Sequence, residues 1–340
     1  MKALITGGAG FIGCNAVDRF LSQGADVTIY DDLSRRGGRS NLAWLSKRRG
    51  PEAFRLVEAD VRDFDRLAQA ARGQDVILHL AGQVAVTTSV VDPRSDFEVN
   101  AQGTFNALEA ARLSSSDPVF LYASTNKVYG GMEDVPVVER ATRYAYAELP
   151  DGVSETQPLD FHSPYGCSKG AGDQYVRDYA RIYGLRTVVF RQSAIYGPRQ
   201  FGVEDQGWLA WFIIAAVTGK PITIYGDGRQ VRDVLHVDDL VTAYESAIAH
   251  IDRVAGQVFN IGGGPSSTIS VWIEFRPVLE ALLGRDVPVA WSDWRPGDQR
   301  ICVMDIRKVT RTLNWQPQVR LSDGIQRLFE WVVENRELFE

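Results

Sequence analysis

The sequence predicts an α/β protein: a doubly wound parallel sheet flanked by helices, with a smaller C-terminal domain. Three observations predict it. Short apolar runs at Lys2–Thr6, Asp26–Tyr30, Phe54–Ala59, Val76–Leu80, Val119–Ala123 and Thr187–Arg191 read as strands. Helical spacing between such runs is the pattern of a parallel sheet. A glycine-rich turn, Gly7-Gly-Ala-Gly-Phe-Ile-Gly13, joins the first run to the first helical stretch. At 340 residues the chain exceeds the usual size of one domain, so two are expected: residues 1–198 with return segments near 231–262, then 199–230 together with 263–340.

Composition excludes several function classes. Thirty-seven Lys and Arg against 43 Asp and Glu give a net charge of −6, and there is no long basic run, so no nucleic-acid partner is expected. Cys14, Cys167 and Cys302 are scattered and have no Cys-x-x-Cys spacing, so neither a disulfide framework nor a zinc site is predicted. Met1-Lys2 leads straight into an apolar strand, and no stretch of eighteen apolar residues follows. The expectation is a soluble, cytoplasmic protein with no membrane partner.

In chain order, Lys2–Thr6, the glycine turn and a helix through Leu21 form a βα unit. Gly8, Gly10 and Gly13 fit the dinucleotide fingerprint, and Gly7 adds a second register. The turn brings backbone close to a pyrophosphate and points helix amides at its charge. Asp31 ends the second strand about twenty residues on, where a carboxylate holds ribose hydroxyls and repels a 2′-phosphate, so NAD is favoured over NADP. Arg35 and Arg36 could accept that phosphate or form a solvated loop. Asp63 is a good N-cap for the helix after the third strand. In the fourth strand, His79 reads as a satisfied core histidine.

The run Val119–Ala123 leads into Ser124-Thr-Asn-Lys-Val-Tyr-Gly130, which places Thr125 just past a strand's carboxyl end, where open α/β sheets bind ligands. An irregular segment from Gly131 to Phe161 is expected to form a pocket rim. If Pro164 opens a helix, Tyr165 and Lys169 lie one turn apart on one face. A tyrosine has a pKa of about 10, and a fixed ammonium nearby favours its phenolate. Such a phenolate can take a hydroxyl proton while hydride leaves the same carbon for a nicotinamide, without a metal. Cys167, between them, is expected to pack. Beyond Pro198, Gln206 is read as opening a helix whose Trp208 and Trp211 belong to the core, and Asp238 and Asp239 as capping the helix to His250.

Together the glycine turn, Thr125, the Tyr165/Lys169 pair and the run Gly226-Asp-Gly-Arg-Gln-Val-Arg-Asp233 resemble the extended short-chain dehydrogenase/reductase family, the sugar-nucleotide epimerases and dehydratases. The resemblance spans essentially the whole chain. It implies a Rossmann domain that binds NAD and a smaller domain that binds a nucleotide sugar. By position, the implied cofactor residues are Gly7, Gly10, Phe11, Ile12, Gly13, Asp31, Asp32, Ser34, Arg35, Asp60, Val61, Leu80, Ala81, Gln83, Asn100, Ser124, Tyr165 and Lys169. Asp60-Val61 would touch the adenine, and Asn100 would stabilise the active-site backbone or simply bond locally. Thr125 would hold the hydroxyl being oxidised.

Ser89, Thr125, Gln192, Gln206, Tyr225, Arg232 and Arg295 are the implied substrate residues, with Arg232 and Arg295 on the diphosphate. A surface salt bridge is the competing reading of Arg232. Ala194 stands where most family members have an asparagine facing the substrate. Ser124–Gly130, Leu159–Lys169, Arg199–Phe201 and Asp205–Trp208 look most like the branch that epimerises CDP-paratose and CDP-tyvelose at carbon 2, which makes a CDP-hexose the favoured substrate. A UDP-sugar 4-epimerase and a non-catalytic NAD-sensing protein are the alternatives. The resemblance also implies a homodimer or higher homo-oligomer.

Overall fold

Strands that alternate with helices must hide both faces, and the first strand shows how these do. The computed structural model describes residues 1–295 and 298–340. In β1 (Lys2–Thr6), Ala3 and Ile5 point into one apolar layer and Leu4 into the opposite one. All three are fully buried, which is why the run carries no polar alternation. Burying one such leucine is worth about 2 kcal/mol.

After β1 come β2 (Asp26–Asp31), β3 (Phe54–Glu58), β4 (Val76–His79), β5 (Val119–Thr125), then, after a hairpin of β6 (Val137–Glu139) and β7 (Tyr144–Tyr146), β8 (Thr187–Gln192). Downstream come β9 (Ala194–Tyr196), β10 (Thr223–Tyr225), β11 (Val231–His236), β12 (Gln257–Ile261), β13 (Thr268–Ser270), β14 (Ala290–Ser292) and β15 (Ile301–Cys302). Seven of them form one parallel sheet in the order β12-β8-β5-β4-β1-β2-β3. The order reverses between β1 and β4, so a crevice opens at their carboxyl ends, beside Thr6 and His79. His79 is the satisfied core histidine expected: Nδ1 meets Thr6 Oγ1 at 2.8 Å and Nε2 meets Thr104 Oγ1 at 3.2 Å.

The helices that accompany the large sheet are α1 (Phe11–Ser22), α2 (Gly38–Arg49), α3 (Phe64–Ala71), α4 (Val86–Val91), α5 (Pro93–Phe97), α6 (Gly103–Arg112) and the long α7 (Ser163–Tyr183). The rest of the chain builds a second core around Leu209, Phe212, Trp272, Phe275, Leu328 and Trp331, with Trp208 and Trp211 packed on it. There β11 pairs with β9, β13 and β15. Of the segments near 231–262 expected with the first domain, β12 joins the large sheet beside β8, whereas β11 pairs in the small sheet, as does β9 upstream of Pro198.

Several local expectations change. Thr125 is the last residue of β5 and not past it. The segment from Gly131 to Phe161 contains the β6–β7 hairpin. The helix after Gln206 starts at Trp208, with Gly207 as its N-cap. Cys167 is exposed, because it sits on the outer side of α7. The helix Val237–Ala249 is capped by His236, whose Nδ1 accepts from Asp238 N at 3.2 Å. Asp239 instead accepts from Gln318 N and Val319 N, both at 3.0 Å, and Asp238 is exposed. Asp63 does cap α3, accepting from Arg66 N. Among the described residues, no helix is long and apolar enough to cross a membrane.

Candidate active site

The turn after β1 is shaped by glycines that nothing larger can replace. Gly7 has φ +70, and a Cβ there would lie 2.8 Å from Ala81 N in the turn after β4. A Cβ on Gly13 would lie 2.1 Å from Gly7 O. The first turn of α1 is thereby drawn against the end of β1. Among the described residues, the amides of Phe11, Ile12 and Gly13 have no acceptor, and Gly10 at the N-cap has no side chain to offer them. Three free amides at a helix N-terminus suit a pyrophosphate. Asp31 accepts from Ala9 N at 3.0 Å and Leu33 N at 2.8 Å, so its carboxylate is fixed beside that turn. Burial raises its pKa, and the two amides oppose the shift.

The other cofactor candidates divide by whether their side chains are already engaged. Asp32 accepts from Ser34 N and Ser34 Oγ, at 3.0 and 2.7 Å. Asp60 is gripped by Arg62, at 2.6 Å for the shortest contact, which holds its carboxyl below the usual range. Val61 is buried, and its carbonyl accepts from Asn106. Leu80 N and Ala81 N donate to Thr6, holding the turn in place. Ser124 faces inward and donates to Asp173 at 2.8 Å. Arg35 reaches across the crevice to Gln206 Oε1 at 2.5 Å, so the two meet although they come from opposite halves.

Tyr165 and Lys169 both lie in the first turns of α7, and the Thr125 hydroxyl meets Tyr165 from the end of β5. Ser163 has φ +64, and its hydroxyl accepts from Gly166 N at 3.2 Å, fastening the start of α7 ahead of Tyr165. Ser89, expected to meet substrate, is instead fully buried: it accepts from Tyr165 N at 3.2 Å and donates to Val86 O at 2.7 Å. It positions the tyrosine. Burial raises the Tyr165 pKa, while the Thr125 hydroxyl and the Arg35 guanidinium draw it down. Lys169 Nζ lies 4.4 Å from the centroid of the Tyr122 ring, and burial lowers its pKa to about 7 against the pull of Asp96 and Asp173.

Asp96 escaped the sequence reading. It is buried and receives Ser168 Oγ at 2.5 Å, Gln83 Nε2 at 3.0 Å and Asn100 Nδ2 at 3.1 Å. Asn100 also donates to Gln83 O at 3.0 Å, which bears on its expected backbone role, while its Oδ1 has no partner and faces the Gly82 turn. An orphaned buried acceptor beside Lys169 Nζ fits a polar ligand group in this part of the crevice. Asp-Pro upstream of Asp96 reads as a helix start, so no local signal marks the acid.

On the substrate side, Tyr225 and Arg295 stack, with Arg295 Cζ 3.8 Å from the ring centroid. Arg295 also pairs with Asp205 at 3.1 Å. Arg232 pairs with Asp298 at 2.7 Å, the competing reading, though from a largely buried position. Gln192 turns to the core and donates to Tyr244 Oη at 2.7 Å. Ala194 pairs with Val234 between β9 and β11.

Residues 3–262 match the profile described as NAD dependent epimerase/dehydratase family. The chain is 46% identical over 338 residues to a CDP-paratose 2-epimerase of Salmonella typhi, covering 97% of this chain and 99% of that one. It is 34% identical to a UDP-glucose 4-epimerase of Mycolicibacterium smegmatis, covering 97% and 98%. A dTDP-glucose 4,6-dehydratase of Streptomyces venezuelae, solved with NAD bound, superposes with a TM-score of 0.85 at 30% identity, covering 100% of this chain and 99% of that one.

Proposed function

The chain belongs to the NAD dependent epimerase/dehydratase family, and from that premise we propose that it is an NAD-dependent nucleotide-sugar epimerase that inverts carbon 2 of a CDP-hexose of the paratose/tyvelose type. The observation that carries this reading is the 46% identity, end to end, to a CDP-paratose 2-epimerase. The site agrees with it. Thr125 is followed by Asn126 and Lys127, so no carboxylate stands there to eliminate water. The nearby buried acids, Asp96 and Asp173, are both held by hydrogen bonds.

Free amides at α1, the Asp31 carboxylate and Lys169 would hold NAD, which when bound supplies a reversible hydride acceptor. Tyr165 takes the proton from the carbon-2 hydroxyl, and Thr125 steadies the oxygen as it becomes a carbonyl. Arg232 and Arg295 keep the diphosphate while the keto sugar turns. Tyr165 then returns the proton to the same oxygen as the carbon is reduced from its other face, which leaves the inverted alcohol. Because no net redox change occurs, the cofactor must stay bound between the two halves.

The test is Tyr165→Phe. It should abolish turnover, by more than about a thousandfold given the usual contribution of a general base, while NAD stays bound. Product NMR of the wild-type reaction should show inversion at carbon 2 of a CDP-sugar. Inversion at carbon 4 of a UDP-sugar would select the 4-epimerase, and survival of turnover in the variant would remove Tyr165 from its role.

A further inference from the structure

Two residues after Thr125 lies a lysine the mechanism above does not use. Lys127 is half-buried on the short turn that follows β5. Its Nζ donates to Gln299 Oε1 at 3.2 Å. Gln299 is itself fixed, donating to Gly130 O. Among the described residues, no carboxylate lies within ion-pair distance of Nζ. The nearest acid in influence, Asp298, is already taken by Arg232 at 2.7 Å. Arg232 stands opposite Cys302 in the β11–β15 ladder, and Cys302 Sγ in turn accepts from Asn126 Nδ2 at 2.9 Å. Arg232 and Asp298 thus satisfy each other, and the Lys127 ammonium has an amide oxygen and no carboxylate as its partner among the described residues. Burial and the Arg232 guanidinium both push the Lys127 pKa down, as an unpaired cation requires.

We propose that Lys127 binds the outer phosphate of the nucleotide sugar, the one bonded to sugar carbon 1, and anchors it while the sugar turns. This role rests on the epimerase reading. Thr125 marks where the reacting hydroxyl sits, and Arg232 marks the diphosphate. Lys127 is two residues from the first, and its ammonium bonds Gln299, the neighbour of the Asp298 that pairs with the second. In a sugar that reacts at carbon 2, the next carbon carries the phosphate, so a cation beside the reacting hydroxyl's partner meets that phosphate. Gln299 and the short turn from Thr125 keep the ammonium from following the sugar as it rotates.

The experiment compares CDP with CMP by titration calorimetry on the NAD-loaded wild type, Lys127→Met and Lys127→Arg. The expected result for Lys127→Met is a loss of at least tenfold in CDP affinity, little change for CMP, unchanged NAD content, and ligand-free thermal stability equal to or above wild type. Lys127→Arg should recover much of the CDP affinity. CDP binding unaltered in Lys127→Met overturns the inference and leaves the epimerase reading standing. A fall in thermal stability, or equal losses for CDP and CMP, assigns the lysine to the scaffold and overturns it as well. If the wild type binds neither CDP nor UDP, the epimerase reading and this inference fall together.

Discussion

Lys169 shows at the scale of one residue how the fold sets chemistry. Its ammonium lies against the Tyr122 ring with Asp96 and Asp173 as its opposing charges, and burial brings its pKa to about 7. An unfolded chain releases that proton only near 10.4. Between pH 7 and 10 the unfolded state therefore holds a proton that the native state has lost, and native stability rises with pH by up to about 1.4 kcal/mol per unit. Lys169→Met should lack this rise. Denaturant unfolding of the NAD-free protein at pH 7, 8, 9 and 10 gives the difference between wild type and variant. A difference that stays flat would mean the lysine is not desolvated. Thr125, Tyr165 and Lys169 were legible in the sequence because a strand end and a one-turn helical spacing are local rules. Ser89 and Asp96 were not. Ser89 meets Tyr165 76 residues away and Asp96 meets Ser168 72 residues away, so no local pattern carries either contact.

At the scale of elements, one buried network ties the sheet to α7. Arg191 on β8 makes two bonds to Asp173 on α7, at 2.8 and 2.9 Å, and both side chains are almost fully buried. Ser124 on β5 donates to the same carboxylate, and Arg191 reaches Tyr129 Oη at 3.1 Å. Tyr129 in turn donates to Asn260 on β12 at 2.6 Å. Removing one partner strands a buried charge, so Asp173→Ala should cost roughly 3–5 kcal/mol. The double change Asp173→Ala with Arg191→Met should recover most of it, since no charge is then left unpaired. Chemical denaturation of the single and double variants decides; additive losses would show that the pair matters one side chain at a time. The inner strands could be read from sequence, because β1, β4, β5 and β8 are apolar runs hidden on both faces, while β3 at the sheet's edge leaves Leu56 exposed. The caps could not. Asp238 and Asp239 have the right chemistry for the helix they begin, yet His236 reaches the amide first and Asp239 is drawn to the segment at Gln318. Cys167 failed for a similar reason: it shares α7 with the catalytic pair but lies on its outer side.

Across the whole molecule, the halves meet over the cofactor crevice. Asn15 on α1 donates to Pro198 O at 3.1 Å, and Asn41 on α2 to Arg199 O at 3.4 Å. Phe201 lies where a Cβ on Gly37 would be, 2.1 Å from its Cδ2, so only glycine lets the loop after β2 close under that ring. Above these contacts Arg35 joins the loop to Gln206 at 2.5 Å. An enzyme that oxidises and then reduces the same carbon cannot release its cofactor midway, so a bond that ties the loop after β2 to the segment before Trp208 is expected to slow that release. Arg35→Ala removes a charge-assisted bond worth about 1.5–3 kcal/mol, so the cofactor should escape roughly tenfold to a hundredfold faster. The fold should persist, because neither residue belongs to a hydrophobic core. Two measurements follow the escape: the nucleotide retained after gel filtration, and the decline of turnover over successive cycles, which added NAD should restore. A variant that keeps its cofactor as long as the wild type would show that the crevice is held by the deeper contacts at Asn15, Asn41 and Phe201, with the arginine serving only the loop it stands on.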